Sequence, residues 1–295
     1  MVGSALILLR EGLEGALIIA IVLAYLVKLG RRDRFGAIWL GAGAALAIAF
    51  VIGVVLFSTI GNLTGDAKKL TFALIMGGAA IVLTWMIFWM RRQARAVKGE
   101  LQAKVDVALQ AGTVGALAAV VFVGVLREGI ETVLFFLAAA GQTSTVNSLV
   151  GGSLGLVGAV VLAYAFYRGA SWLDLRQFFM VSGAIVLLFA AGLLSRSLAE
   201  FQVLGYIPTF WYPVYDVSSV ALVTTNNFFG QLLRGLFGWD PAPSIEELVA
   251  WTAYIGGVGY LYFRGVARPH PFRARRRRRA ERFAQPPGAA ETSDA

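Results

Sequence analysis

Two six-residue stretches of this chain carry charge in apolar surroundings. Leu9-Arg10-Glu11-Gly12-Leu13-Glu14 and Leu126-Arg127-Glu128-Gly129-Ile130-Glu131 are offset by 117 residues and identical at five of six positions. On a helix, a spacing of three puts Glu11 and Glu14 on one face, and Glu128 and Glu131 likewise. A spacing of four lets Arg10 reach Glu14 and Arg127 reach Glu131. Charges inside a membrane span are costly, face a polar interior and carry function. If the two stretches meet, four carboxylates and two guanidinium groups sum to a formal charge of −2. A divalent cation would neutralise that cluster, and a trivalent one would leave +1. Left empty, the cluster would have to protonate or hydrate, because uncompensated buried charge costs several kcal/mol. All the ligands are hard oxygens, which suit hard cations, whereas thiolate and imidazole suit Cu(I) and Zn. Fe3+ fits, and Mn2+, Mg2+ and Ca2+ stay open by ligand type. Two other readings compete. One is a pair of Arg–Glu bridges that only fix helix packing, which leaves one Glu per helix without a partner. The other is a proton relay through the glutamates.

The rest of the chain explains the apolar surroundings. Of 295 residues, 58% are hydrophobic and 15% charged, against about 25% charged in soluble domains. That balance excludes a disordered chain and argues against a water-soluble enzyme. There is no Cys and the one His is His270, so thiolate sites, disulfides, His clusters and catalytic triads are excluded. No catalytic residue and no cofactor is expected. The 34 Gly fit transmembrane helices, where Gly is enriched.

About 20 apolar residues cross a bilayer as a helix. Seven such runs are present, at 4–27, 35–57, 70–90, 112–140, 148–167, 177–195 and 246–264. Ser244 and Glu247 form a capping-box pattern ahead of the last. The first run is not read as a signal peptide, since it lacks a basic start and Arg10, Glu11 and Glu14 interrupt it. Of 26 Lys and Arg, 20 lie after runs one, three and five and in the tail, nine of them between Arg264 and Arg282. The positive-inside rule then puts the N-terminus outside and the C-terminus in the cytoplasm. The net charge of +9 is thereby an orientation signal, and Arg275–Arg279 is read as a lipid-touching anchor rather than a nucleic-acid arm.

The fold class expected is an all-α polytopic membrane protein. Residues 1–267 form the seven-helix domain and 268–295 a basic, disordered cytoplasmic tail. The first run goes inward and the fourth outward, so the repeated motif predicts two inverted three-helix halves (about 4–110 and 112–200) plus a seventh helix at 246–264. Inverted repeats mark transporters with a site near mid-membrane. At 1.5 Å per residue, Glu11 and Glu14 lie roughly 10 and 15 Å below Ser4. Counted back from Ala140, Glu131 and Glu128 lie roughly 14 and 18 Å from the same surface.

Arg-Glu-x-x-Glu in the first and fourth of seven spans resembles the oxidase-dependent iron transporter family, which contains the fungal high-affinity iron permeases and the bacterial Efe-type permeases. Residues 10–14 and 127–131 match its two signature motifs. Ala191-Gly192-Leu193-Leu194 with Glu200 is similar to the end of the family's sixth helix, although Ala199 stands where the family often has His. Tyr215-Asp216 resembles a Trp-Asp pair of the outer loop. Residues 230–238 and Pro243-Ser244 resemble the approach to the seventh helix. The similarity spans about residues 4–265, and the bacterial branch is closer because the fungal polar tail is missing. The resemblance implies iron import across the plasma membrane, with iron as transported substrate on Glu11, Glu14, Glu128 and Glu131, in the ferric form. Arg10 and Arg127 would tune the cluster charge. It also implies a partner: an extracytoplasmic iron-binding protein with a haem peroxidase, or a multicopper oxidase. Homo-oligomerisation stays open. A carboxylate-based transporter of another divalent metal, such as Mn2+ or Pb2+, and a non-transporting membrane scaffold are the alternatives.

Among the other acids of the outer side, Glu200 and Asp216 coincide with family positions and are candidate ligands at the entrance. Asp66, Asp240, Glu246 and Glu247 read as solvated surface or helix N-terminal charge. Gly151, Gly155 and Gly158 read as close helix packing. The outer loop 196–245 is too long for a plain turn and is expected to hold a short helix or two, able to act as a lid.

Overall fold

A computed structural model describes residues 2–93, 97–142, 145–167, 175–220 and 227–266 of the protein. The described residues are helix and loop, without a strand. The basic tail, with Arg275–Arg279, lies outside them.

The first six apolar runs each coincide with one helix, and the seventh with two helices joined by a π turn. In chain order these are α1 (Val2–Lys28), α2 (Phe35–Gly61), α3 (Gly65–Gln93), α4 (Val97–Gln110), α5 (Val114–Gln142), α6 (Thr145–Tyr167), α7 (Leu175–Val203), α8 (Phe228–Phe237), α9 (Ile245–Tyr254) and α10 (Tyr260–Val266). Two of them lie outside the seven runs. α4 occupies a segment read above only as a basic connection. Its Val105 and Ala108 are buried against α1, α2 and α5, and the Tyr25 hydroxyl donates to the Asp106 carboxylate at 2.7 Å. α8 is a short helix within the expected outer loop. Asn227 accepts from the Gly230 N–H to start it, and Gly238 ends it at φ +66 with its N–H on the Arg234 and Leu233 carbonyls, the left-handed cap that suits glycine. The capping box at Ser244 and Glu247 forms as the sequence predicts. From there α9 runs through one π turn, Ile255–Gly259, into α10.

Among the described residues, four helical segments are long and apolar enough to cross a membrane: Arg32–Gly61, Gly65–Met90, Val146–Ala165 and Met180–Val203. In α1 and α5 the three charges of each motif interrupt the apolar run. The outward faces are apolar, with Trp39, Phe50, Val51, Leu154 and Val160 all exposed, while Arg10, Glu11 and Glu128 are buried. That distribution is the reverse of a water-soluble fold and suits a lipid surround.

Packing pairs the helices in a regular way. The largest interfaces are α1 with α6, α2 with α5, α3 with α7 and α1 with α5. Exchanging α1, α2 and α3 for α5, α6 and α7 maps this set onto itself. α1 and α6 run parallel, as do α2 and α5, whereas α1 and α5 cross antiparallel, with Gly15 beside Glu128 and Ile18 beside Gly124. Lipid tails are as apolar as Leu, so helices associate in a membrane through close packing of small residues. Gly155 faces the Ala5 carbonyl and Gly41 the Ala118 carbonyl with no room for a Cβ. Gly152 and Gly158 lie against Leu8 and Leu9, so the glycine stripe of the fifth apolar run is a packing face.

Candidate metal centre

The antiparallel crossing of α1 and α5 brings the two motifs together. Glu128 falls at the midpoint of α5 and Glu14 one residue from the midpoint of α1. Carboxylate oxygens of Glu11, Glu128 and Glu131 all lie within 4.8 Å of one another. Glu14 stands beside this trio, in an ion pair with Arg10 Nε at 3.2 Å. On the second motif, Arg127 Nε donates to Glu131 Oε1 at 2.8 Å. Both four-residue Arg–Glu pairs read from the sequence therefore form. Each arginine also lies near the glutamate that follows it, Arg10 at 3.4 Å from Glu11 and Arg127 at 4.0 Å from Glu128.

The two arginines are held differently. Arg10 is 2% exposed, and its second terminal nitrogen contacts Met90 Sδ at 2.8 Å. Arg127 keeps 35% of its side chain exposed and lies over the Trp89 ring at 4.2 Å, a cation–π contact. Trp89 in turn stacks on Trp85. Trp89 and Arg127 lie 38 residues apart in the chain, and nothing in that spacing pairs them.

Buried carboxylate oxygens normally find hydrogen-bond partners. Here Glu11 Oε2, Glu128 Oε2 and Glu131 Oε2 are buried with none, while the buried Glu14 Oε1 faces Arg10 Nε. These three oxygens sit within a cluster of four carboxylates and two guanidinium groups, of formal charge −2. The donor set is hard oxygen only, so a hard or borderline cation fits it and a thiophilic one does not.

The two expected entrance ligands are elsewhere. Asp216 is exposed. It accepts from the Ser218 N–H at 2.9 Å, and hydrogen bonds from Ser218 hold its carboxyl below the usual range. Glu200, near the end of α7, is an electrostatic neighbour of Arg234. Neither joins the carboxylates of the two motifs. The acids that do organise the expected outer loop are Asp240 and Glu247. Arg196 pairs with Asp240, and Glu247 is 5% exposed rather than solvated. Burial raises the Tyr215 phenol, and Asp240 and Glu247 raise it further.

Comparison with known proteins bears on the same residues. The iron permease FTR1 family matches residues 1–267, a span that contains both motifs. A ferrous iron permease EfeU of Escherichia coli O6:H1 (strain CFT073) is 38% identical over 252 residues, covering 85% of this chain and 91% of the relative. The ferrous iron permease EfeU of Yersinia pestis is 35% identical over 260 residues, covering 88% and 92%. A putative inactive ferrous iron permease EfeU of Escherichia coli K12 is 37% identical over 252 residues. No solved structure matches the chain. With its motif-bearing helices inside a match of that extent, the chain belongs to the iron permease FTR1 family, and it is a multi-pass plasma-membrane protein of iron transport.

Proposed function

We propose that the protein imports iron through the α1–α5 crossing, with Glu11, Glu14, Glu128 and Glu131 as successive oxygen ligands and Arg10 and Arg127 as counter-charges that hold the glutamate rotamers. The observation that carries this reading is the convergence of three glutamates within 4.8 Å, each with a buried unpartnered oxygen. A purely structural pair of Arg–Glu bridges would leave those oxygens costing roughly 1–3 kcal/mol each. A cation removes that cost, and α1 and α5 need only shift by side-chain rotamers to pass it on.

The proposed topology is seven spans: α1, α2, α3, α5, α6, α7 and the α9–α10 run. The N-terminus lies outside, and two inverted halves are joined by α4 on the cytoplasmic side. The exchange of α1–α3 with α5–α7 that preserves the helix pairing supports the inverted repeat. Residues 268–295 are proposed as a separate cytoplasmic tail. A bacterial-type arrangement would add an extracytoplasmic iron-binding protein and a haem peroxidase, since this chain has no Cys and one His with which to do redox chemistry.

Two oxidation states fit different observations. Ligand hardness favours Fe3+. The cluster charge of −2 is cancelled by Fe2+, and the relatives carry ferrous iron in their names. We take Fe2+ as the ion that dwells among the four carboxylates, because a neutral site is cheapest in a low-dielectric interior. The test is iron uptake by cells expressing Glu14→Ala or Glu131→Ala at matched membrane levels. Loss of uptake in both is expected, and wild-type uptake in both overturns the site. Displacement of iron by a modest excess of Mn2+ would move the assignment to another divalent metal.

A further inference from the structure

The outer end of the protein holds a second acidic cavity, lined by none of the residues of the two motifs. It has a volume of about 110 Å3 and is lined by Ser195 of α7, Tyr215, Trp239 and Asp240 of the outer segment, and Glu247 and Trp251 of α9. Glu247 spends one oxygen on the helix start: Oε1 accepts from the Ser244 N–H and hydroxyl, both at 3.2 Å. Its other oxygen, Oε2, is buried with no hydrogen-bond partner, and so is Trp239 Nε1. The capping role accounts for Oε1 and leaves Oε2 unexplained. Asp240 is the second carboxylate. Its Oδ1 accepts from the Ala242 N–H at 3.0 Å and its Oδ2 pairs with Arg196. Tyr215 lines the same cavity, its phenol raised first by burial and then by Asp240 and Glu247. The carboxylates of Asp240, Glu247 and Glu200 against the guanidinium groups of Arg196 and Arg234 sum to −1, so the surroundings of the cavity favour a cation over an anion. The cavity is partly open and has room for a cation together with several waters.

We propose that this cavity docks a partly hydrated divalent cation on Glu247 Oε2, with Asp240 as second carboxylate and Arg196 as the resident counter-charge that the arriving cation displaces. The iron identity of its natural cargo rests on the transport reading above; the binding site itself does not. Docking before the membrane crossing concentrates the cation and strips part of its water, the step that hard ions resist.

The test uses Tb3+, a hard oxygen-seeking probe whose emission is sensitised by nearby tryptophan, here Trp239 and Trp251. Full-length purified protein carries Glu11→Gln and Glu131→Gln, which silences the mid-membrane cluster near Trp89. Saturable Tb3+ emission that Mn2+ displaces is expected in that background. Glu247→Gln keeps the capping acceptor, since Gln serves at that position of a capping box, and should weaken Tb3+ binding about tenfold or more at unchanged melting temperature. Asp240→Asn should act in the same direction. In the otherwise wild-type chain, Glu247→Gln should raise the iron concentration for half-maximal uptake several-fold. Absence of Tb3+ emission from the background protein, or equal affinity with and without Glu247→Gln, overturns the docking site. Failure of the mid-membrane glutamates to matter for uptake would overturn the transport path and leave the Tb3+ result standing.

Discussion

Gly12 and Gly129 hold the same place in the two motifs, and each presses on an alanine of the paired helix. A Cβ added at Gly129 would stand 2.6 Å from the Ala49 Cβ, and one at Gly12 would stand 2.8 Å from the Ala159 Cβ. Carbon atoms rest at about 3.5–4.0 Å, so Gly129→Ala must part α5 from α2 by about 1 Å. Neither contact atom can swing away, since both are Cβ atoms fixed to a helix. Overpacking of that size costs about 1–3 kcal/mol. The displacement also reaches the proposed metal centre, because Glu128 is the adjacent residue and a metal site tolerates only about ±0.2 Å in its ligand distances. Gly129→Ala should therefore lower the melting temperature of the detergent-purified protein and depress iron uptake together. The swap Gly129→Ala with Ala49→Gly removes the colliding methyl, and it should recover most of both losses, a coupling of about 1–3 kcal/mol. The matching pair is Gly12→Ala with Ala159→Gly. Wild-type stability and uptake in Gly129→Ala would refute the reasoning, and so would an Ala49→Gly change that deepens the loss.

Tyr25→Phe removes the hydroxyl that donates to Asp106, so α4 should release from α1. Faster proteolysis within 97–110 checks this, and cleavage at the wild-type rate contradicts it. The Asp216 carboxyl is held low by Ser218. A depressed carboxyl stabilises the fold fully above the ordinary carboxylate range near 4, and that contribution is lost as pH falls through its own lower value. Acidification should therefore loosen the outer segment around 214–220, and Ser218→Ala should move that transition to higher pH. Fluorescence of Trp211 and Trp239 followed against pH reports it, and an unmoved midpoint in Ser218→Ala contradicts it.

Much of the helix layout was legible because the bilayer imposes a length. The seven apolar runs begin and end within a few residues of helices, apart from α7 and α3, which extend farther into polar sequence. The Arg10–Glu14 and Arg127–Glu131 pairs were legible because a spacing of four fixes neighbours on any helix. Which helix packs on which was not legible. A helix that is apolar on all sides carries no periodicity to mark its partner, and the close approaches of Gly155 to Ala5 and Gly41 to Ala118 join positions 150 and 77 residues apart in the chain. α4 was missed because Lys98, Glu100, Lys104 and Asp106 dominate its composition. Its apolar stripe of Leu101, Val105, Ala108 and Leu109 has helical spacing and was the available signal. At the outer end, Glu247 was recognised as a capping residue but not as a buried one. A cap uses one carboxylate oxygen, and only the fold tells where the other points.

The central claim is that iron passes between the glutamates of α1 and α5. The most direct measurement is uptake into proteoliposomes of purified protein at set pH and voltage, with Fe2+ and Fe3+ offered separately to the wild type, Glu11→Gln and Glu131→Gln. The account predicts saturable uptake by the wild type, faster for Fe2+, and its loss in both variants. Wild-type iron flux through Glu11→Gln and Glu131→Gln would contradict it.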